Sequence, residues 1–177
     1  MTPYERLTQL RVDETAGRPV DVLPFWGHRG PGSACLSQWY PAGFTVDGVT
    51  YPTAEHWMMA GKARLFDDAA GLAAVLAAPG PAEAKSAGRR VRGFDEESWK
   101  GARYDLVVTG NLAKFGQHGN LRRFLLGTGD RVLVEASPYD RIWGVGLGPD
   151  NPDVHRPSAW RGLNLLGFAL MEVRERL

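Results

Sequence analysis

Apolar residues recur with a helical period through Tyr51–Phe66, YPTAEHWMMAGKARLF. Pro52 and Thr53 sit where the chain turns in, and Thr53 is a residue type that caps free N–H groups. The pattern therefore predicts an amphipathic helix from Ala54 to Phe66. Glu55 and Lys62, seven residues apart, fall on one face of it, roughly 10 Å apart along the axis. Met58 and Met59 lie between them. Upstream, FTVDGVTY at 44–51 alternates around Asp47-Gly48 and predicts a hairpin with a type I′ turn. Downstream, 67–78 is alanine-rich and predicts a helix stopped by Pro79-Gly80-Pro81. A short helix follows from Pro81 to Gly88, with Pro81 in its first turn. Asp95 begins an acidic, capping-prone turn and predicts a long helix over 96–115, weakened by Gly110.

The remaining pattern is more broken. Pro3 to about Arg11 predicts a short helix, and 13–18 a loop. Val20–Trp26 predicts a strand whose Pro24 places it at an edge or an end. Gly27-His28-Arg29-Gly30-Pro31-Gly32 is a loop, and 34–40 reads as extended. Leu121–Leu126 is a short helix. Arg131–Ala136 reads as a strand buried on both faces except at Glu135. A turn at 137–140 leads to a second short strand over 141–145, a long polar loop over 146–157, and a terminal helix over 162–177. Strands and helices mix without regular alternation, which predicts an α+β fold, mostly helical around a small β-sheet. No internal repeat or linker divides the chain. The expectation is one compact domain over 1–177, with 1–18 as a peripheral N-terminal extension.

Composition narrows the function classes. With 44% hydrophobic and 23% charged residues over 177 positions, the chain can bury a proper core. A net charge of +1 does not predict a broad nucleic-acid footprint. Cys35 is the single cysteine, so neither an internal disulfide nor a thiolate zinc site is expected. The histidines at 28, 56, 118 and 155 have no metal-ligand spacing. No membrane-length apolar run or signal-peptide core is visible, so a soluble cytoplasmic protein is the default expectation.

Three acids and one amine stand out by context. Glu55 leads the apolar helix, Glu135 interrupts an apolar strand, and Asp140 precedes Ile142-Trp143-Gly144-Val145-Gly146. A carboxyl in an apolar run titrates high unless paired, and can then donate a proton. An amine in an apolar pocket, as Lys62 would be, loses proton affinity and becomes nucleophilic. Each has a structural alternative: Glu55 and Lys62 as the solvated border of a buried face, Glu135 as an ion-pair partner, Asp140 as turn chemistry. Trp99 and Trp143 are candidate stacking platforms for a flat base, or core. The glycines of the 27–32 loop let backbone approach a ligand, and Arg29 is placed to meet a phosphate. Lys85, Arg89, Arg90 and Arg92 read as a solvated basic face.

Ordered motifs across nearly the whole chain resemble the NADAR superfamily, the YbiA-like N-glycosidases. They are LSQWYP near Leu36; F-x-x-D-G-x-x-Y from Phe44; A-E-H-W-x-x-x-x-K-A from Ala54; Ala84-Lys85 and Gly88-Arg89; Phe94-Asp95 with Trp99; and Lys114-Phe115. L-L-G-T-G-D from Leu125, V-E-A-S-P-Y-D-R-I-W-G-V-G from Val134 and G-L-N-L-L-G-F-A-L-M-E-V-R from Gly162 complete the set. One departure is Gln38, where many members of the family carry Asn after Leu-Ser.

The resemblance implies a hydrolase acting on an N-glycosidic bond, with no metal or cofactor. The family includes enzymes that cleave ribosylamino-pyrimidine phosphates of the early riboflavin pathway, and others that remove ADP-ribose from guanine bases. The implied partner is a small ribosyl-phosphate or ADP-ribosyl substrate, or a single modified nucleotide in nucleic acid; a non-catalytic ADP-ribose-binding module is the remaining alternative. Carried over by motif, Glu55, Lys62 and Asp140 are the catalytic candidates. Trp99, Trp143, Glu135, Gly27, Arg29, Ser37, Gln38 and Gly144 are the substrate-binding candidates. Arg29, Arg103 and Lys114 are the candidate phosphate ligands.

Overall fold

The computed structural model describes all 177 residues. The fold is α+β, with seven α-helices and two strand pairs. The chain forms two compact units. One is continuous, 38–122; the other combines 1–37 with 123–177.

In the continuous unit, strands β2 (Phe44–Val46) and β3 (Val49–Tyr51) form the expected antiparallel hairpin. Asp47 and Gly48 both adopt positive φ, 50° and 78°, as a type I′ turn demands. The chain passes directly into α2 (Ala54–Leu65), where the Thr53 hydroxyl accepts the His56 N–H. His56 is fully buried; its Nε2 meets the Ala78 carbonyl and its Nδ1 the Thr53 hydroxyl. A carbonyl only accepts, so Nε2 carries a proton. Helices α3 (Ala69–Leu76) and α4 (Pro81–Arg89) pack against α2. The basic cluster beside them is solvated as expected: Arg89, Arg90 and Arg92 are exposed and Lys85 is half-buried. Arg92 donates to the buried Asp68 carboxylate at 2.7 Å and through its own backbone N–H, holding that carboxyl far below the usual range.

Helix α5 (Glu96–Gln117) runs unbroken for 22 residues. Gly110 does not interrupt it. A Cβ there would stand 2.2 Å from Trp57 Cδ1, so the missing side chain makes room for an indole. Trp57 Nε1 then donates to the Leu106 carbonyl at 2.7 Å. Gly61 of α2 likewise faces Leu106, whose methyl would lie 2.7 Å from an added Cβ. Two glycines thus let α2 and α5 approach closely.

In the other unit, β1 (Val22–Phe25) pairs in parallel with β4 (Val132–Glu135). Pro24 is tolerated because the strand has a free edge. The small sheet expected from sequence is therefore two separate two-stranded pairs. Helix α1 (Pro3–Thr15) carries a Thr2–Glu5 capping box and runs past the expected end near Arg11. It packs on α7 (Leu165–Arg176), with Leu7 buried. Arg11 donates to the carbonyls of Pro157 and Trp160. Helix α6 (Gly119–Leu126) leads toward β4.

Three expectations are corrected here. The extended stretch at 34–40 begins instead as a 3-10 helix over Gly32–Leu36, with Ala34, Cys35 and Leu36 buried. The second strand at 141–145 does not form. That segment gives its carbonyls to the chain ahead of α7: Arg141 accepts from Leu163, Gly144 from Asn164, Ile142 from Leu165 and Trp143 from Leu166. The last two donors are the first N–H groups of α7, which have no partner inside their helix. The expected helix start at Gly162 moves to Leu165, because a Cβ at 162 would stand 2.2 Å from the Gly144 carbonyl oxygen. That close approach belongs to the loop.

Candidate active site

Glu55, Lys62, Trp99 and Gln38 fall in the continuous unit. Glu55, in the first turn of α2, is only 3% exposed. Its backbone N–H donates to the Gln38 carbonyl at 3.0 Å, so the turn entering α2 and the LSQ segment are stitched together. Seven residues on, the Lys62 ammonium lies 4.2 Å from the Phe94 ring centroid and 5.6 Å from that of Trp99. Burial between these rings pushes its pKa below the ordinary lysine value, and the Glu96 carboxylate opposes this in part. Lys62 is half-buried and makes no ion pair. It is an amine against two aromatic faces, the setting that raises its free-base fraction.

Phe94 was not among the expected site residues. With Asp95 as N-cap of α5, Phe94 stands at N′ and Trp99 at N4, the two positions that meet in a hydrophobic staple. The capping pattern was therefore the signal that both rings would sit at one helix end. Lys62 uses the pair as a seat.

Along α5 the same face continues as Arg103, Val107, Asn111 and Lys114, all buried. Asn111 is missing from the sequence-derived set. Its Nδ2 donates to Gln38 Oε1 at 2.8 Å and to the Val107 carbonyl at 2.9 Å. Gln38 Nε2 and Asn111 Oδ1 are both buried and make no hydrogen bond. One donor and one acceptor are thus left over in adjacent amides, a pattern that suits a hydroxyl group, which both gives and accepts. Lys114 is fully buried, its Nζ 5.7 Å from the Tyr40 ring centroid.

Glu135, Asp140, Trp143, Gly144, Gly27, Arg29 and Ser37 fall in the other unit. Glu135 ends β4 half-buried, its N–H donating to Asn164 Oδ1 at 3.0 Å. Asn164 Nδ2 donates back to the Leu133 carbonyl, and the residue sits in the left-handed region at φ 55°. Asp140 Oδ1 accepts the N–H groups of Ile142 and Trp143, each at 2.8 Å. The Ser137 hydroxyl accepts the Asp140 N–H. Gly144 is packed so that a Cβ would stand 2.9 Å from the Glu135 carbonyl oxygen and 3.0 Å from that of Asp140. Its role is to let these strands of backbone touch. Trp143 is half-buried.

Gly27 and Arg29 lie exposed in a loop where Gly27, Gly30 and Gly32 take positive φ. Ser37 ends the 3-10 helix, its N–H bonded to the Ala34 carbonyl. Beside them stands another pair that the pattern did not reveal. Trp26 and Tyr139, 51% and 87% exposed, have ring centroids 6.4 Å apart. They follow the carboxyl ends of the parallel strands β1 and β4, where open sheets usually receive ligands. No three His, Cys, Asp or Glu side chains are grouped to hold a metal ion. No helix is long and apolar enough to cross a membrane.

Comparison with known proteins places the chain. A family model described as NADAR domain matches residues 24–177. An N-glycosidase of Acanthamoeba polyphaga mimivirus is 40% identical over 145 residues, covering 79% of this chain and 85% of that protein. A riboflavin biosynthesis protein of Vibrio vulnificus is 35% identical over 142 residues, 80% of this chain but only 35% of that longer protein. The NMR structure of the Escherichia coli protein YbiA superposes with a TM-score of 0.73 at 28% identity, covering 89% of this chain and 85% of YbiA. On these matches, which run through both units, the chain belongs to the NADAR family.

Proposed function

We propose that this protein, an N-glycosidase by its family, hydrolyses the C1–N bond of a ribosylamine that carries a phosphate. A ribosylamino-pyrimidine phosphate is the favoured substrate. The observation that carries the reading is the Lys62 amine seated between Phe94 and Trp99 with its proton affinity lowered by burial.

The chemistry follows from the substrate's own ring opening. An amino-linked ribose opens to an imine, and the Lys62 Nζ lone pair adds to C1. The C1–N bond to the base then breaks, the base amine leaves with a proton, and a Schiff base to Lys62 remains. Water adds to that imine, the C1–Nζ bond breaks, and the sugar aldehyde departs as the amine is regenerated. Each transfer needs a proton carrier. Glu55 is the first choice, buried and in the same helix as Lys62. Asp140 is the second, although one of its oxygens is already committed to two backbone N–H groups. The leftover donor and acceptor of Gln38 and Asn111 suit a ribose hydroxyl. Trp99, Trp143, Glu135, Ser37 and Gly144 remain substrate-binding positions by motif, and Gly27 and Arg29 as parts of a glycine-rich loop suited to approach a phosphate.

Sodium borohydride added with ribosylamino-pyrimidine phosphate tests the covalent step, since it reduces a Schiff base to a stable secondary amine. The expected result is a sugar adduct on Lys62 by peptide mass spectrometry and loss of turnover in Lys62→Arg. An active Lys62→Arg enzyme with no adduct would leave direct carboxylate-assisted hydrolysis as the route. ADP-ribosyl-guanosine in a parallel arm reports which ribosyl compound is preferred.

A further inference from the structure

We infer that Arg103 is an anion-binding residue, the seat for the substrate's phosphate, and this rests on the N-glycosidase reading above. The side chain is 4% exposed. No protein group hydrogen-bonds or ion-pairs its guanidinium, and none of its nitrogens is sealed from water: the stem is buried and the charged tip reaches an opening. The nearby carboxylates of α5 are engaged elsewhere or turned away: Glu97 holds Lys100 at 2.7 Å, Glu96 acts on Lys62 and Lys100, and Asp105 is exposed. A guanidinium brings five donors in a rigid fork and cannot shed its charge. A guanidinium carried on a buried stem, with its tip open to water and no protein acceptor, has its donors free for an incoming anion. The buried Asp68 carboxylate shows the contrast: it is met through three donors by Arg92, whose own side chain is exposed.

The place of Arg103 fits a phosphate in particular. It lies four residues beyond Trp99 on the same face of α5, about one turn or 5.4 Å along the axis. Trp99 is one of the two rings that seat the Lys62 amine. In a pentose 5-phosphate, the phosphate and C1 lie at opposite ends of the sugar. An amine aimed at C1 and a fork aimed at a phosphate should therefore stand a short way apart along one surface, as Lys62 and Arg103 do through Trp99. Oxygens of a phosphate monoester, or of the diphosphate in ADP-ribose, match the fork equally in type.

Calorimetry and thermal melting on the intact protein test this without turnover. Ribose 5-phosphate, ADP-ribose and plain ribose are the probes, with wild type, Arg103→Met and Arg103→Lys as proteins. Wild type should bind ribose 5-phosphate at least tenfold more tightly than ribose, and its melting temperature should rise with the phosphate ester. Arg103→Met should lose that rise and bind plain ribose as wild type does. Arg103→Lys should keep the charge yet lose at least threefold in affinity. If ADP-ribose alone shows the dependence, the seat is for a diphosphate; if ribose 5-phosphate does, for a monoester. An Arg103→Met protein that keeps the phosphate-dependent rise, or an Arg103→Lys protein with wild-type affinity, would overturn the assignment. Arg103-dependent binding in a protein that cleaves no ribosylamine would keep the seat and remove the reaction; cleavage unaffected by Arg103→Met would do the reverse.

Discussion

Asn164 and Asn111 are both fully buried, yet they end differently. Asn164 uses both ends of its amide, accepting from Glu135 N–H and donating to the Leu133 carbonyl. Asn111 donates twice and leaves its oxygen unused, beside an unused Gln38 nitrogen. The same contrast runs through their neighbourhoods. Around Asn164, Asp140 and Ser137 give their oxygens to backbone N–H groups, and Gly144 and Gly162 exist so that carbonyls can come close. In the unit that holds Asn111, no protein acceptor meets the Arg103 guanidinium, and Lys62 sits on rings instead of a carboxylate. A polar group already satisfied by its own fold holds shape. One left wanting, in a protein that could have replaced it with carbon, is held for something that arrives from outside.

Breaking this contrast should separate chemistry from stability. Glu55→Gln removes a proton carrier but little packing, so kcat should fall by about 10²–10⁴ while the melting curve stays near wild type. Asn164→Ala orphans an N–H and a carbonyl and puts alanine at positive φ. It should cost about 3–5 kcal/mol in denaturant unfolding. Asn111→Ala should cost less than half of that and instead raise KM, since part of what it removes faces the substrate. Equal destabilisation by the two would erase the distinction. Asp140→Asn keeps the oxygen that accepts from Ile142 and Trp143, so stability should change by less than about 1 kcal/mol. A large fall in kcat in that variant would move Asp140 from turn to proton carrier.

The smallest effect is electrostatic. The folded pKa of Lys62 lies below its ordinary 10.5, so in that window the unfolded chain binds more protons than the native one. Stability attributable to this group therefore rises with pH, and so does the fraction of free amine available for attack. Glu96→Gln removes the influence that opposes the shift. The rise of kcat/KM with pH should then begin at lower pH than in wild type.

What was legible in the chain was local. Asp47-Gly48 announces its turn because only certain residues take positive φ twice in succession. Thr53 and Asp95 announce helix starts because their oxygens meet N–H groups three residues on. What was not legible depends on partners far along the chain. Residues 141–145 look like a strand by composition, but their carbonyls are taken by 161–166, a pairing that no short window contains. Gly110 reads as a weakness in a helix until Trp57 is seen to fill its place. Lys62 and Glu55 were visible by spacing; Phe94 was hidden because exposed aromatics are common, and Asn111 because an asparagine in a helix carries no signature. Arg103 could be named among the candidate phosphate ligands, but nothing in the chain told that its stem would be buried while Arg29 stayed exposed.

The parallel pairing of β1 with β4 joins Val22 to Val132 and Phe25 to Glu135. All of 38–122 lies in the chain between those two strands. A nascent polypeptide leaving the ribosome therefore exposes β1 with nothing to register against, and meets the whole of the hairpin and helices α2 to α5 before β4 is synthesised. The contiguous segment has everything it needs to collapse early; the split one closes only when the carboxyl-terminal third has been made. A premature stop anywhere before residue 132 would leave β1 an unmated edge.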